Sequence, residues 1–175
     1  SAEAYLMKGE LRRVVRDFQG SVDSFSKSLQ IRPNNLVALV GRAASNVDLG
    51  NDDDAEKDLK VVFERAPKHP LASYLTAMIR TRKGDYDGAR NVITEAGPAL
   101  EQHMPTVYIL GAIAYSKGEL EQAETLMTRY VERVPENLRA RKLLGATLLR
   151  KHAPAKAMEI LEPALASAPT DGQLL

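Results

Sequence analysis

The sequence predicts an all-α fold, a solenoid of five tandem helix–turn–helix repeats of 34 residues each. Three observations carry this prediction. The first is a recurring turn: "LGNDDDA" at 49–55, "KGDYDGA" at 83–89 and "KGELEQA" at 117–123 follow one another at intervals of 34 residues. The second is a set of columns with the same interval. Small residues recur at Ser21, Ala55, Ala89, Ala123 and Ala157, and again at Gly9, Ala43, Ala77, Gly111 and Gly145. Bulky apolar residues recur at Phe25, Leu59, Ile93, Met127 and Leu161. The third is composition: aromatics are 5%, Trp is absent, and alanine, leucine and charged helix formers dominate.

The repeats are 2–35, 36–69, 70–103, 104–137 and 138–171, forming one domain, and "GQLL" at 172–175 begins a sixth. Each part of the repeat has a physical reason. Two short antiparallel helices, A and B, approach closely only where side chains are small, which explains the Gly/Ala/Ser columns. The turn after helix A needs positive φ, which Gly50, Gly84 and Gly118 supply in the three middle repeats. The bulky column fills the space between the helices. Pro33, Pro67, Pro135 and Pro169 cannot continue helix B and set the link to the next repeat.

The repeats also depart from one another. The first and fifth place Arg16 and His152 where Gly is favoured. In the third, Gly97 and Pro98 are expected to end helix B early, with Pro98 opening a short extra turn. In the fifth, Pro154 suits the first turn of helix B, whereas Pro163 falls inside that helix and is expected to kink it. Charge is uneven along the array, at +2, −2, 0, −2 and +3 by repeat, and totals +1. The acidic run Asp52–Asp54 suits the N-terminus of a helix.

Several kinds of chemistry have no support in these residues. With no Cys, there are no disulfides, thiolate nucleophiles or cysteine metal sites. His69, His103 and His152 have no second ligand at metal spacing, and Asp52–Asp54 lack the pattern of a calcium loop. No catalytic, cofactor or metal residues are therefore assigned, and the chain is expected not to be an enzyme. The basic clusters Arg12–Arg13–Arg16 and Arg139–Arg141–Lys142 are interrupted by acidic repeats, so nucleic acid is not expected as a partner. The longest nearly apolar stretch, "YILGAIAY" at 108–115, is too short to cross a bilayer. The Ser1 start suggests a piece excised from a longer protein.

This 34-residue pattern resembles the tetratricopeptide repeat family over residues 2–171. The resemblance implies a right-handed superhelix whose A helices line a concave face, and a protein-binding role for that face. The positions that face inward in this family hold Val37 and Val40, then Leu71, Tyr74 and Met78, then Tyr108 and Tyr115. Basic Arg82, Lys142 and Arg150 lie towards the C-terminal side. These ten residues form the expected groove, which would bind another protein through an extended segment or peptide. The alternative for each apolar residue is packing between neighbouring A helices. The carboxylate clamp of chaperone-binding members needs Lys and Asn where this chain has Leu6 and Glu10, or Val40 and Ala44 one repeat on, so that subtype is excluded.

A narrower resemblance lies in "HPLASYLTAMIRTRKGDYDGA" (69–89), "VPENLRARKLLGATLLRK" (134–151) and "AMEILEPALASAPTDGQLL" (157–175), which are similar to the tetratricopeptide lipoproteins of bacterial exosortase systems. It implies a scaffold of a secretion, sorting or exopolysaccharide apparatus in the periplasm or cell envelope. The alternatives are a cytosolic peptide-binding adaptor and the regulatory array of a larger enzyme. With no polar capping helix, the C-terminal face around Met158, Leu161 and Leu165 is expected to pair weakly with another copy. If the column register is right, Ala123→Leu overpacks the A–B contact of the fourth repeat and costs about 1–3 kcal/mol. A thermal melt checks this; an unchanged melting temperature would put Ala123 at the surface.

Overall fold

The computed structural model describes the backbone of residues 1–167 and the side chains of residues 1–163. All regular structure among the described residues is helical. The first hairpin pairs α1 (Ala2–Val14) with α2 (Phe18–Ile31), the second α3 (Leu36–Leu49) with α4 (Asp52–Arg65), and the third α5 (Pro70–Arg82) with α6 (Tyr86–Ala96). A single turn, α7 (Pro98–Glu101), follows. The fourth hairpin pairs α8 (Met104–Lys117) with α9 (Leu120–Arg133), and the fifth α10 (Leu138–Arg150) with α11 (Pro154–Ser167).

Every A helix starts 34 residues after the last, and so does every B helix. The A helices start where they do because an N-cap column, Ser1, Asn35, His69, His103 and Asn137, recurs at the same interval. Asn35 Oδ1 accepts from the backbone N–H groups of Val37 (3.0 Å) and Ala38 (3.2 Å), and His69 Nδ1 accepts from that of Ala72 (3.3 Å). These bonds satisfy donors that a helix N-terminus otherwise leaves open. Two of the three histidines therefore stand at cap positions.

The chain forms two compact units, one spanning Ser1–Leu100 and a second from Glu101 onward. In the first, the Phe25 ring is fully buried between two glycines. A Cβ at Gly9 would lie 2.8 Å from that ring, and one at Gly41 only 2.4 Å, so neither position accepts a side chain. Gly9 is in α1 and Gly41 in α3, so one aromatic ring holds the first hairpin together and fastens it to the second. Buried hydroxyls reinforce the same seam. Ser21 Oγ donates to the Gly9 carbonyl (2.8 Å) and shares a hydrogen bond with Ser45 Oγ (2.9 Å), while Ser28 Oγ donates to the Ala2 carbonyl (2.8 Å). Across α3 and α4, Arg42 donates in a fork to buried Asp58 at 2.8 and 2.7 Å, and this pairing raises the guanidinium pKa. In the second unit, Met127 fills the space over Gly111, where a Cβ would meet it at 2.5 Å. Tyr130, Leu144 and Leu148 extend that core.

Superimposed on the 34-residue interval is a repeat of twice that length. Arg12 Nη1 donates to the Gly20 carbonyl at 2.9 Å, and Asp17 accepts from the Gly20 N–H at 3.0 Å. Two repeats later, Arg80, Asp85 and Gly88 reproduce both bonds at the same lengths. One seam within each unit also matches at this interval. Arg82 Nη1 donates to the Val47 carbonyl (3.1 Å) and Lys83 Nζ to Asp53 (3.2 Å) and Glu56 (3.0 Å). Two repeats later, Arg150 donates to the Tyr115 carbonyl (3.0 Å) and Lys151 to Glu121 (2.6 Å) and Glu124. The carboxylates raise both lysine pKa values, keeping the ammonium groups charged: Glu56 then Asp53 for Lys83, Glu121 then Glu124 for Lys151.

The departures between repeats have structural outcomes. Gly97 stands at φ +100° and ends α6, and Pro98 opens α7, as expected. Pro163 lies inside α11, which continues to Ser167. The Leu165 side chain, Pro169 and "GQLL" lie outside the described residues. All five A–B turns contain a left-handed residue: Gly50, Gly84 and Gly118 at φ +77 to +80°, Arg16 at +63° and His152 at +57°. The turn geometry thus survives where glycine does not, at a cost of about 1 kcal/mol for each non-glycine residue. Arg16→Gly and His152→Gly are each expected to raise stability by about 0.5–1 kcal/mol, net of the extra unfolded-chain freedom of glycine. Chemical denaturation checks this, and a lowered midpoint for both would refute strain at the turn.

Candidate binding surfaces

In the first compact unit a hollow of about 190 Å³ opens across three A helices. Its apolar floor comes from α3, whose face carries Val37, Val40, Gly41 and Ala44. Leu71 of α5 forms one wall, and Glu10 and Arg13 of α1 form the other. His69, fixed by its capping bond, stands at the mouth. Gly41 serves two purposes here. It admits the Phe25 ring on one side and lines the hollow with backbone on the other. Arg13 also pairs with Asp48 at 3.7 Å, a half-exposed ion pair that holds its guanidinium at the rim. The result is an apolar trough with charge of both signs along one edge.

The ten expected groove residues divide by environment. Val37 (57% exposed) and Leu71 (42%) present apolar surface to solvent, while Val40 is buried beneath them. Tyr74 and Met78 are half-buried and pack against the core of the first unit. Arg82 is held in the seam by Asp52 and the Val47 carbonyl. In the second unit, Tyr108 packs on the core with its ring centroid 5.4 Å from that of Tyr130, and burial raises its phenol pKa. The Arg150 guanidinium lies over the Tyr115 ring, 4.8 Å from its centroid, so these two side chains cover one another. Lys142 lies on α10, partly buried. The hollow thus gathers Val37, Val40 and Leu71 and adds Glu10, Arg13 and His69. The last three occupy the inward columns of the first A helix and the N-cap column, and the 34-residue spacing marks both sets.

Among the described residues no cluster of His, Asp and Glu has metal-binding geometry, and no helix is long and apolar enough to cross a membrane. Of the remaining histidines, His103 Nδ1 lies 3.4 Å from Thr106 Oγ1, and His152 is the left-handed turn residue.

Two family models, both described as tetratricopeptide repeat, match residues 41–100 and 114–175, together more than half of the chain. The human PEX5-related protein is 25% identical over 167 residues; the match covers 84% of this chain and 25% of that protein, so the chain spans about a quarter of its relative's length. Among solved structures, MamA from Desulfovibrio magneticus superposes with a TM-score of 0.78 at 19% identity, covering 98% of this chain and 97% of that one. YrrB, described as a TPR protein with an unusual peptide-binding site, superposes with a TM-score of 0.72 at 17% identity, covering 99% and 90%. At these identities the structures speak to fold, and they agree with the all-α repeat class.

The environments predict different responses to truncation. Tyr108→Ala removes a ring packed on Tyr130 and the core, and is expected to cost about 1–3 kcal/mol in a denaturant melt. Val37→Ser, at an exposed site, is expected to shift stability by less than about 0.5 kcal/mol. Equal losses for the two would place Val37 in the core.

Proposed function

We propose, from the premise that this chain belongs to the tetratricopeptide repeat family, that it is a non-enzymatic scaffold that binds an extended segment of another protein along its A helices. The observation that carries this reading is the pairing of exposed Val37 and Leu71 over the buried floor of the hollow in the first unit. Apolar side chains this exposed, rimmed by Glu10, Arg13 and His69, make a surface suited to alternating apolar and polar side chains of a bound peptide. The peptide-binding site of YrrB is a precedent for such use of this fold. Tyr115, already stacked under Arg150, supplies a flat edge in the second unit, and Lys142 adds positive charge on α10.

For the cellular setting we favour a bacterial cell-envelope secretion, sorting or exopolysaccharide apparatus on the periplasmic side. This rests on the sequence resemblance of residues 69–89, 134–151 and 157–175 to exosortase-system lipoproteins. Fractionation of the native protein tests it: recovery with the envelope supports it, and recovery in the cytosol favours a cytosolic adaptor or a regulatory array.

The binding reading is tested with peptides selected on the wild-type chain from a random display library. Leu71→Asp and Val37→Asp are each expected to weaken the selected peptides by about tenfold or more while the melting temperature holds. Affinity unchanged in both variants would overturn the assignment of the hollow.

A further inference from the structure

Within the first unit, the middle hairpin departs from its two neighbours at one group of positions. The group joins the end of the A helix to the N-cap and first turn of the B helix. It reads Arg12, Asp17 and Gly20 in the first hairpin and Arg80, Asp85 and Gly88 in the third. In both, the guanidinium donates to the glycine carbonyl and the aspartate accepts from the glycine N–H. The same carboxylates lie 3.6 and 3.8 Å from the arginines. These side chains fill the room beside the glycine: a Cβ at Gly20 would run into Arg12 and Asp17, and one at Gly88 into Asp85. The second hairpin reads Asn46, Asn51 and Asp54 instead. The guanidinium and its carboxylate are both replaced, and the Asn51 side chain makes no capping bond.

Between Asn46 and Asp54 lies a pocket of about 260 Å³, completed by Ser26, Arg42, Lys57 and Asp58. Helical periodicity puts Arg42 and Asn46 on the side of α3 opposite Val37, Val40 and Ala44, so this is not the hollow described above. The pocket's two cations are matched from within. Arg42 forks to Asp58 and donates to Ser26 Oγ at 3.0 Å, and Lys57 donates to Asp54 at 2.7 Å. Asn46 is not matched. It lines the pocket at 5% exposure, and its side-chain amide makes no hydrogen bond among the described residues. In the second unit the same column holds buried Ala114 and Leu148, which need no partner. A buried amide costs free energy unless something hydrogen-bonds it, which marks this pocket as built around a polar ligand.

We propose that this pocket binds a guanidinium group brought from outside the chain, in the place that Arg12 and Arg80 fill in the neighbouring hairpins. A guanidinium is planar and offers only donors. Asn46 supplies its amide oxygen, Asp54 its carboxylate, and the Asp54 backbone carbonyl is the counterpart of the Gly20 and Gly88 carbonyls that accept from the built-in arginines. The Asp54–Lys57 pair is exposed on both sides, at 60% and 75%, so an entering cation readily takes the place of Lys57. An adjoining hollow lined by Asn51, Asp52 and Asp53 shares Asp54 and Lys57 with the pocket and gives it an acidic approach. A carboxylate ligand would instead meet Arg42 already paired with Asp58, and would face Asp54.

The test is a titration of the isotope-labelled chain with N-acetyl-arginine amide, followed through the Asn46 side-chain amide resonances. These are expected to shift saturably between micromolar and millimolar probe, with N-acetyl-lysine amide at least tenfold weaker. Asp54→Asn, at an exposed position, is expected to keep the melting temperature and weaken the probe about tenfold or more. Asn46→Arg combined with Asp54→Gly rebuilds the neighbouring arrangement and is expected to abolish binding in a folded chain. Free L-arginine separates the two sources of the group. Tighter binding than the capped probe supports the pocket with a small guanidino compound as ligand, and equal or weaker binding supports it with an arginine side chain of a partner protein. Asn46 resonances unmoved by either arginine probe would overturn the proposal. Lysine amide binding as well as arginine amide would also overturn it, as would affinity unchanged in Asp54→Asn, whether or not the double variant folds.

Discussion

Everything in this chain depends on how closely two antiparallel helices can approach. At each A–B crossing the A helix offers no more than a methyl group and the B helix presents one bulky side chain. Phe25 shows the constraint most plainly, because its ring touches the bare backbone of two different hairpins. With a Cβ at either glycine the helices would separate by a side-chain radius, and the buried serine bonds beside it, near 2.8–2.9 Å, would open with them. The helix starts, turn geometry and trough floor all inherit their positions from that contact.

Much of this was legible from spacing alone. The small columns at Gly9 and Ser21 gave the crossing, and the turn "KGDYDGA" gave the helix ends, because close packing and positive φ each admit few residue types. The left-handed conformation of Arg16 and His152 was legible only as a departure: the column demands the geometry, and the residues there do not advertise it. The fate of long side chains was least legible. Arg82 and Arg150 look like free cations on an inward face, yet each reaches a carbonyl of the preceding repeat. A guanidinium on a flexible stem finds partners within several ångströms of its Cα, and a one-dimensional column does not encode that reach.

The trough illustrates the same limit at a functional surface. Val37, Val40 and Leu71 follow from the inward columns, but burial separates Val40 from the other two. Tyr74, Met78 and Tyr108 share those columns and lean into the core, because large side chains at a hairpin edge gain more from covering apolar neighbours than from facing water. The position of a residue in the repeat indicates its direction, and its size relative to the local gap determines its depth.

Each of the seams described is specific to the hairpins it joins. Arg82 and Lys83 meet the acids that α4 carries at Asp52, Asp53 and Glu56, whereas the equivalent positions of α2 hold Phe18, Gln19 and Val22. Deleting the second hairpin would set two cations against that uncharged face. Hairpins that share a fold are therefore not interchangeable parts, and shortening the array is a question of which hairpin is removed as well as of how many.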